Sequence, residues 1–502
     1  MRRAIQRGLI VAVGVLMQII LSVSVLAIFG KKIAFVEILY RIAGILLVLG
    51  IIKESKSLSK DLPWVIIIAM FPIVGALLYI VISGNLLQSK VLKSIRKSEK
   101  NGKKYFVQDK AIKKEIENKN NGKINYLMNY LNFPVTKNND IKNYPFGELA
   151  YKEMLKELKN AKKFIFLEYF IIKNGTMWSE ILKILEEKAA NGLDDRLMYD
   201  DMGCIAFLPT SYPKQMEAKK IKCIAFNKLN PFLGVIMNNR DHRKMMIIDG
   251  KTVFSGGMNL ADEYINLTHP YGTWKDNGIK ITGDAVWNFT VMFLNMWNSY
   301  RKEDKNYTEF KYDFKQENIP ENGYTIPYGE TPLDSEIVGE NVYLNIINQA
   351  QKYVYIMSPY LIIDTDMINS LILAAKRNVD VRIVVPGIPD KKIVYSLTSS
   401  YFETLIKNGV KIYKYTPGFV HSKVFVSDDN IATVGTINLD YRSLYLHFEC
   451  GVFMQDTDAI KNVKKDLNET IKKSHLVSEK EATPKLLKGI GQAVLRLFAP
   501  LM

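Results

Sequence analysis

The sequence predicts an α/β protein of two similar halves related by a pseudo-two-fold axis, preceded by N-terminal transmembrane helices. Three observations carry this. An eighteen-residue motif occurs twice, at 242–259 and 421–438. The strand and helix patterns around the two copies follow the same order, the mark of an internal duplication. Apolar segments long enough to cross a bilayer stand before both copies.

Taken in order, the expected organisation is a membrane anchor over 1–85, a basic linker over 86–130 and a first half over 131–301. A connecting segment over 302–335, a second half over 336–480 and an amphipathic tail over 481–502 complete it. Gly8 to Phe29 is an uncharged run of about 22 residues, enough for a hydrocarbon core. Arg2, Arg3 and Arg7 precede it, and its length argues against a signal peptide. Ile33 to Ile52 is a second segment, with Glu37 and Arg41 spaced to pair on one helix face. Leu62 to Ile82 is a third, in which Pro72 implies a kink. Lys90, Lys93, Arg96, Lys97, Lys100, Lys103 and Lys104 follow. They argue for a multi-pass protein of the cell membrane with its catalytic part in the cytoplasm. The Asn- and Lys-rich stretch to about residue 125 reads as a solvated linker over anionic headgroups.

Beyond it, strands alternate with helices. Phe164–Ile172 is a buried-strand run, Trp178–Ala190 has helical spacing, and Arg196–Tyr199 and Ile221–Phe226 are further strands. The second half repeats this with strand Val354–Ile363, helix Met367–Arg377 and strands Val381–Val385 and Val410–Tyr415. Tyr169 and Tyr360, Arg196 and Arg382, and Lys222 and Lys411 read as duplicated positions. Asp195 falls where the second half has Val381, and no sequence feature explains a carboxylate there. The tail, Lys485–Met502, is apolar with three basic residues and no acids. It suits a helix lying on anionic lipid and a helix docked on the protein equally.

The net charge of +17 calls for an acidic partner, nucleic acid or an anionic membrane surface, and the apolar segments choose the membrane. The three cysteines, Cys204, Cys223 and Cys450, lack metal-type spacing and read as reduced thiols.

In each copy of the motif a short hairpin carries its chemistry at one end. His421 and Lys423 alternate onto one strand face, Asp428-Asp429-Asn430 is a turn, and the return strand passes Gly435 to Asn438. His242, Lys244, Asp249, Gly256 and Asn259 recur at the same offsets. The turn aspartates Asp249 and Asp428 read as structural. His269, His447 and His475, outside this context, read as structural or surface residues. A metal is disfavoured, because each motif His shares its face with a Lys and has no third ligand close by. No metal or other cofactor is expected. Converging Lys and Asn suit a phosphate, and two imidazoles permit double displacement, one attacking and one protonating the leaving oxygen.

H-x-K-x4-D with a downstream G-x-x-N, present twice, resembles the signature of the phospholipase D superfamily. The likeness narrows to the bacterial cardiolipin synthases through LMYDDMGC (197–204), NNRDHRKMMIIDG (238–250), PGFVHSKVFVSDD (417–429) and TINLDYRSLYLHFE (436–449). It implies two α/β halves, each a mixed sheet flanked by helices, with one site at their interface. It implies a transferase that joins two phosphatidylglycerols into cardiolipin and glycerol through a phosphatidyl-histidine, without metal. By position, the catalytic set is His242, Lys244, Asp249, His421, Lys423 and Asp428, with His242 the nucleophile and His421 acid and then base. Lys244, Asn259, Lys423 and Asn438 would bind the phosphate. Glu449, eleven residues past Asn438, and Asp276, seventeen past Asn259, would orient the imidazoles. Where family copies often carry Gly-Ser, this chain has Gly256-Gly257 and Gly435-Thr436, so the first copy lacks the hydroxyl. A membrane-bound phospholipase D or phosphatidylserine synthase of the same superfamily would differ only in the acceptor. A nuclease would share the motifs but not the apolar segments.

Overall fold

A computed structural model describes residues 34–55, 57–83, 90–119, 121–228 and 239–501. The first apolar run, Gly8–Phe29, lies outside the described residues. The chain divides into two compact units, with boundaries at Gln88/Ser89 and Gln492/Ala493.

In the smaller unit, α1 (Ala34–Glu54), α2 (Leu58–Met70) and α3 (Pro72–Ser83) pack on one another. The third expected membrane segment, Leu62–Ile82, is therefore two short helices and not one span. The cause is local: Phe71 leaves the helical region (φ −135°, ψ 74°) because proline disfavours helical geometry in the residue before it. The turn is tight, since a Cβ on Gly75 would stand 2.7 Å from the Ile68 Cα. Trp64 and Tyr79 close the α2–α3 pair edge to face at 5.6 Å. The second expected segment forms α1, with Arg41 Nη2 2.7 Å from Glu37 Oε1 as the spacing predicts. Among the described residues no helix is long and apolar enough to cross a membrane. The face of α1 nonetheless leaves Ile38, Leu39, Ile42, Ile45, Leu46 and Leu49 exposed.

The larger unit is organised by a sheet. The strands of its first half are β1 (Thr136–Tyr144), β2 (Phe164–Tyr169), β3 (Asp194–Asp200), β4 (Lys222–Phe226), β5 (Arg240–Asp241), β6 (Lys244–Ile248), β7 (Thr252–Gly256), β8 (Thr273–Lys275) and β9 (Gly278–Gly283). The second half supplies β10 (Glu321–Glu330), β11 (Tyr353–Met357), β12 (Asp380–Pro386), β13 (Lys411–Tyr415), β14 (Gly418–Val420), β15 (Val424–Ser427), β16 (Ile431–Gly435), β17 (His447–Gln455) and β18 (Ser474–Leu476). Outward from the centre, β1-β9-β7-β6-β2-β3-β4 on one side is mirrored by β10-β17-β16-β15-β11-β12-β13 on the other. β1 and β10 pair antiparallel at the middle. This mirrored order is what a two-fold relation between duplicated halves produces. Each half is mixed, with β2, β3 and β4 parallel and β6 antiparallel to β2.

The halves do not carry separate sheets. Their strands form one continuous sheet, and the core is continuous with it: Phe166, Met245, Val253 and Phe293 belong to the same buried cluster as Val424, Val434 and Val452. Helix Val286–Tyr300 contributes Phe289, Phe293 and Trp297, fully buried at four-residue spacing. Two expected boundaries are corrected by this. The connecting segment 302–335 contains β10, a central strand. The described part of 86–130, residues 90–119 and 121–130, is no linker: it folds into helices including Lys90–Gly102 and Lys110–Asn118, and buries Ile95, Ile116 and Ile124 completely.

Register tests the duplicated pairs directly. Arg196 stands opposite Lys222 in β3–β4, and Arg382 opposite Lys411 in β12–β13. Asp194 pairs with both Arg196 and Lys222, and Asp380 with both Arg382 and Lys411. The tyrosine pair is off by two. Phe164 sits opposite Asp194 as Tyr353 sits opposite Asp380, which makes Tyr169 the counterpart of Ser358 and not of Tyr360.

Candidate active site

Both motif hairpins form as the sequence predicts, β6–β7 and β15–β16. Their turn aspartates adopt left-handed backbone, φ 54° at Asp249 and 52° at Asp428, a conformation that Asp tolerates. Each carboxylate faces away from the chemistry. Asp249 accepts from the N–H groups of Lys162, Lys163 and Phe164 at 2.7–3.0 Å. Asp428 accepts from those of Gln351, Lys352 and Tyr353 at 2.7–3.0 Å. These two residues tie each hairpin to the start of the neighbouring strand.

The histidines enter at the other end of the hairpins, and each is fixed by the opposite half. β5 pairs in parallel with β17, and the His242 N–H donates to Phe448 O at 2.9 Å. β14 pairs in parallel with β8, and the His421 N–H donates to Lys275 O at 2.7 Å. The side chains cross in the same way. Nδ1 of His242 lies 2.8 and 2.9 Å from the two oxygens of Glu449, and Nδ1 of His421 lies 2.8 Å from Asp276 Oδ2. Gly256 stands opposite Gly278 as Gly435 stands opposite Gly451, so Asp276 and Glu449 occupy the same position in their halves.

The two carboxylates are supported differently. Thr436 donates its hydroxyl to Glu449 Oε2 at 2.5 Å. In the first copy a Cβ at Gly257 would fall 2.0 Å from Asp276 Oδ1, so the carboxylate fills the space that a side chain would need. The Thr436 hydroxyl is committed to Glu449 and Cys450 and does not stand free for a phosphate.

Lys244 donates to His242 O at 2.5 Å, and Lys423 Nζ sits against its own His421, 2.9 Å from Nδ1. Asn259 is held by Tyr264, which accepts from its Nδ2 at 2.7 Å, and by Ile171, whose N–H donates to its Oδ1 at 3.0 Å. Oδ1 of Asn438 is buried without a partner among the described residues. All eight of these site groups are buried. Burial pushes Lys244 down to about 8 and Lys423 to about 7, Asp276 and Glu449 partly offsetting it. Burial, with Lys423, lowers His421 to about 4 against the pull of Asp276. His242 is pushed further down, by burial and by Lys244, His447, Lys423 and His421. Burial raises the Asp276 carboxyl, but His421, Lys423 and the Asn277 N–H outweigh it and hold it ionised. Glu449 goes the other way: burial raises it well above the carboxylate range, and Lys244 and Thr436 offset only part of that.

A family profile described as "Cardiolipin synthase, PLD-like domain" matches residues 154–297 and 343–471. The chain belongs to the cardiolipin synthase family of phospholipase D-like proteins. It is 32% identical to a cardiolipin synthase of Clostridium perfringens over 89% of this chain and 95% of that one. Cardiolipin synthase 1 of Staphylococcus aureus is 33% identical over 90% and 93%. An uncharacterized protein of Streptococcus mutans is 45% identical over 91% and 99%. Among solved structures, the phosphatidylserine synthase of Haemophilus influenzae shares the fold, with a TM-score of 0.56 and 17% identity over 76% of this chain and 98% of that one. The likeness read from the two motifs is thus borne out, and the chain is an enzyme of the phosphatidyltransferase type found in this family.

The site of this family member contains residues that sequence reading missed. His447, expected to be structural or on the surface, is buried with its ring 5.6 Å from that of His242. Its place two residues before Glu449 on one strand, hence on the same face, is the signal that could have found it. Trp274 holds the same position in the first half, two before Asp276, and packs 5.4 Å from His421. The expectation that no third ligand lies near a motif His is corrected as well. Donor atoms of His242, His447 and Glu449 lie within 4.8 Å of one another, a spacing that could hold a metal ion. Arg442 opposes that use. Its Nε–H, which can only donate, points at Nε2 of His447 at 3.3 Å, so in the neutral ring the proton sits on Nδ1, the nitrogen facing Glu449.

Proposed function

We propose that this enzyme transfers a phosphatidyl group between two phosphatidylglycerol molecules, giving cardiolipin and glycerol, without a metal. The observation that carries this is the crossed arrangement of two imidazoles, each with Nδ1 on a carboxylate of the other half. Nε2 of His242 attacks phosphorus as the P–O bond to glycerol breaks, and His421 gives that oxygen a proton. The terminal hydroxyl of a second phosphatidylglycerol then gives its proton to His421 and attacks phosphorus, and the P–N bond to His242 breaks. Lys244, Lys423, Asn259 and Asn438 neutralise and bond the non-bridging oxygens, with preorganised donors strengthened by burial.

Electrostatics support this division of roles. Asp276 stays ionised beside His421, which favours the imidazolium that an acid needs. Burial disfavours charge on both Glu449 and His242, so this imidazole is held neutral, as suits a nucleophile.

The membrane supplies both substrates, and we assign the smaller unit to it as a multi-pass anchor. The exposed apolar residues of α1 and the uncharged run Gly8–Phe29 support this reading. The basic residues from Lys90 to Lys104 support a cytoplasmic catalytic part. A Lys100→Cys variant in intact cells should resist an impermeant thiol reagent and react once the cells are opened.

The deciding experiment is purified protein with phosphatidylglycerol as the sole lipid. Cardiolipin and glycerol should appear in equal amounts. Phosphatidic acid as the main product would make the enzyme a hydrolase; no turnover of phosphatidylglycerol, with phosphatidylserine formed once an activated diacylglycerol and serine are supplied, would make it a phosphatidylserine synthase.

A further inference from the structure

We propose that His447 is a positioning residue for the nucleophile, its Nδ1–H sustaining the Glu449 carboxylate so that the proton of the Glu449–His242 contact stays on His242 Nδ1. This rests on His242 being the nucleophile. The need is physical. If Glu449 takes up a proton, the carboxyl donates to Nδ1, the ring keeps its own proton on Nε2 instead, and no lone pair faces phosphorus. Burial drives the pair towards that inactive form, raising Glu449 and lowering His242. A donor to Glu449 is needed to keep that extra proton off the pair.

Three observations point to His447. Its Nδ1 is buried without a hydrogen-bond partner among the described residues, 3.7 Å from Glu449 Oε1, one small movement from bonding it. Arg442 donates to Nε2 and so leaves the proton on Nδ1. The first half makes the same contact with a different ring: Trp274, at the position of His447, directs its indole N–H at Asp276 Oδ2, 3.4 Å away. Two ring N–H donors thus stand behind the two orienting carboxylates at equivalent places. Indole cannot lose this proton at any working pH, and Arg442 gives an imidazole the same constancy. The other charges bearing on the group are Lys244, Arg240 and Arg442 on His447, Lys423 on His242 and Asp440 on Glu449. None of these cations bonds Glu449 directly.

The test uses full-length protein and a phosphatidyl donor with a nitrophenol leaving group, which needs no protonation, labelled at phosphorus. Phosphatidyl-enzyme formation is followed by rapid quench from pH 5 to 9. Label on His242 in the wild type establishes the underlying reading; label elsewhere defeats that reading, independently of His447. Given label on His242, His447→Leu should lower the maximal rate about 10- to 100-fold with KM unchanged. It should also move the acid limb of the profile up by about one pH unit, because Glu449 without its donor keeps the proton to higher pH. His447→Asn, whose amide N–H can replace Nδ1–H, should recover the rate to within a few-fold and restore the limb. Arg442→Met, which frees the tautomer, should shift the limb in the same direction by less. If His447→Leu does not fold, the Asn and Met variants decide alone. A rate loss shared equally by Leu and Asn with an unmoved limb, or wild-type behaviour in the Leu and Met variants, overturns the proposal.

Discussion

Nδ1 of His242 stands 2.8 Å from Oε1 of Glu449, 207 positions further along the chain. His421 makes the reciprocal contact to Asp276 across 145 positions. Neither half therefore holds a motif histidine together with its orienting carboxylate, and an isolated half should carry no turnover. The same crossing separates the two carboxylates by role. Asp276→Asn weakens an acid, and Glu449→Gln weakens a nucleophile; each should slow cardiolipin formation by roughly 10²- to 10³-fold. With the nitrophenol donor, formation of phosphatidyl-enzyme should recover in Asp276→Asn and stay slow in Glu449→Gln. Equal recovery in both would remove the assignment of His421 as the acid.

Gly257 is a second point at which the halves differ. A side chain there would meet Asp276 Oδ1 at 2.0 Å and the His421 carbonyl at 2.8 Å. Installing the serine that related motifs carry should push Asp276 off His421. Gly257→Ser should cut turnover about 100-fold with little change in melting temperature, a loss that the nitrophenol donor repairs. A Gly257→Ser enzyme with normal turnover would mean that Asp276 has another place to go.

The motif aspartates should behave as structure. Each accepts three backbone N–H bonds across the base of its hairpin. Losing a bond to a charged acceptor costs about 1.5–3 kcal/mol, less whatever water recovers. Asp428→Ala should lower thermal stability by about 3 kcal/mol, and Asp428→Asn, which keeps one acceptor and tolerates positive φ, by less. The surviving folded protein should keep its KM for phosphatidylglycerol. An unchanged melting curve with lost turnover would move Asp428 into the chemistry.

The hairpins were legible because period-two alternation and a turn aspartate are local signals, and duplication supplied each with a control. Asp276 was harder to read because six more residues separate it from Asn259 than separate Glu449 from Asn438. The excess lies in a loop that carries β8, and only sheet register brings the carboxylates into equivalence. Tyr169 was matched to Tyr360 by identity where register matches it to Ser358. His447 was invisible alone, since its meaning depends on the ring of His242, reached through β5–β17 pairing across the halves. Residues 90–119 and 121–130 are misleading through their charge: Ile95, Ile116 and Ile124, one buried in each of three helices, help to seat them, and a lysine-rich average conceals them. In the third apolar segment Pro72 was read as a kink, and its effect on Phe71 makes two helices instead.

Asp195 gives the last prediction. It is 1% exposed, sits opposite Ile165 in β2–β3, and takes the place of Val381, opposite Val354 in β11–β12. Neither of its oxygens has a hydrogen-bond partner among the described residues. Burial first, then Asp194, push its pKa from 3.8 up to about 7, with Lys188 pulling the other way and Asp249 adding least. A raised carboxyl pKa means that the folded state holds a proton the unfolded state has released. Stability from this group is therefore whole below about pH 4, falls as pH rises from 4 to 7, and is fully lost above 7. Three pH units correspond to about 4 kcal/mol, an upper bound, because the strand can relax and admit water. Asp195→Val restores the residue of the other half and removes the penalty. Thermal melts in detergent should show the variant more stable than wild type by several degrees at pH 8, with the gap shrinking steadily towards pH 4. Turnover should be unchanged, since the residue lies at the start of β3, away from both histidines. A gap that is the same at pH 4 and pH 8 would show that Asp195 is ionised throughout and satisfied by water inside the sheet.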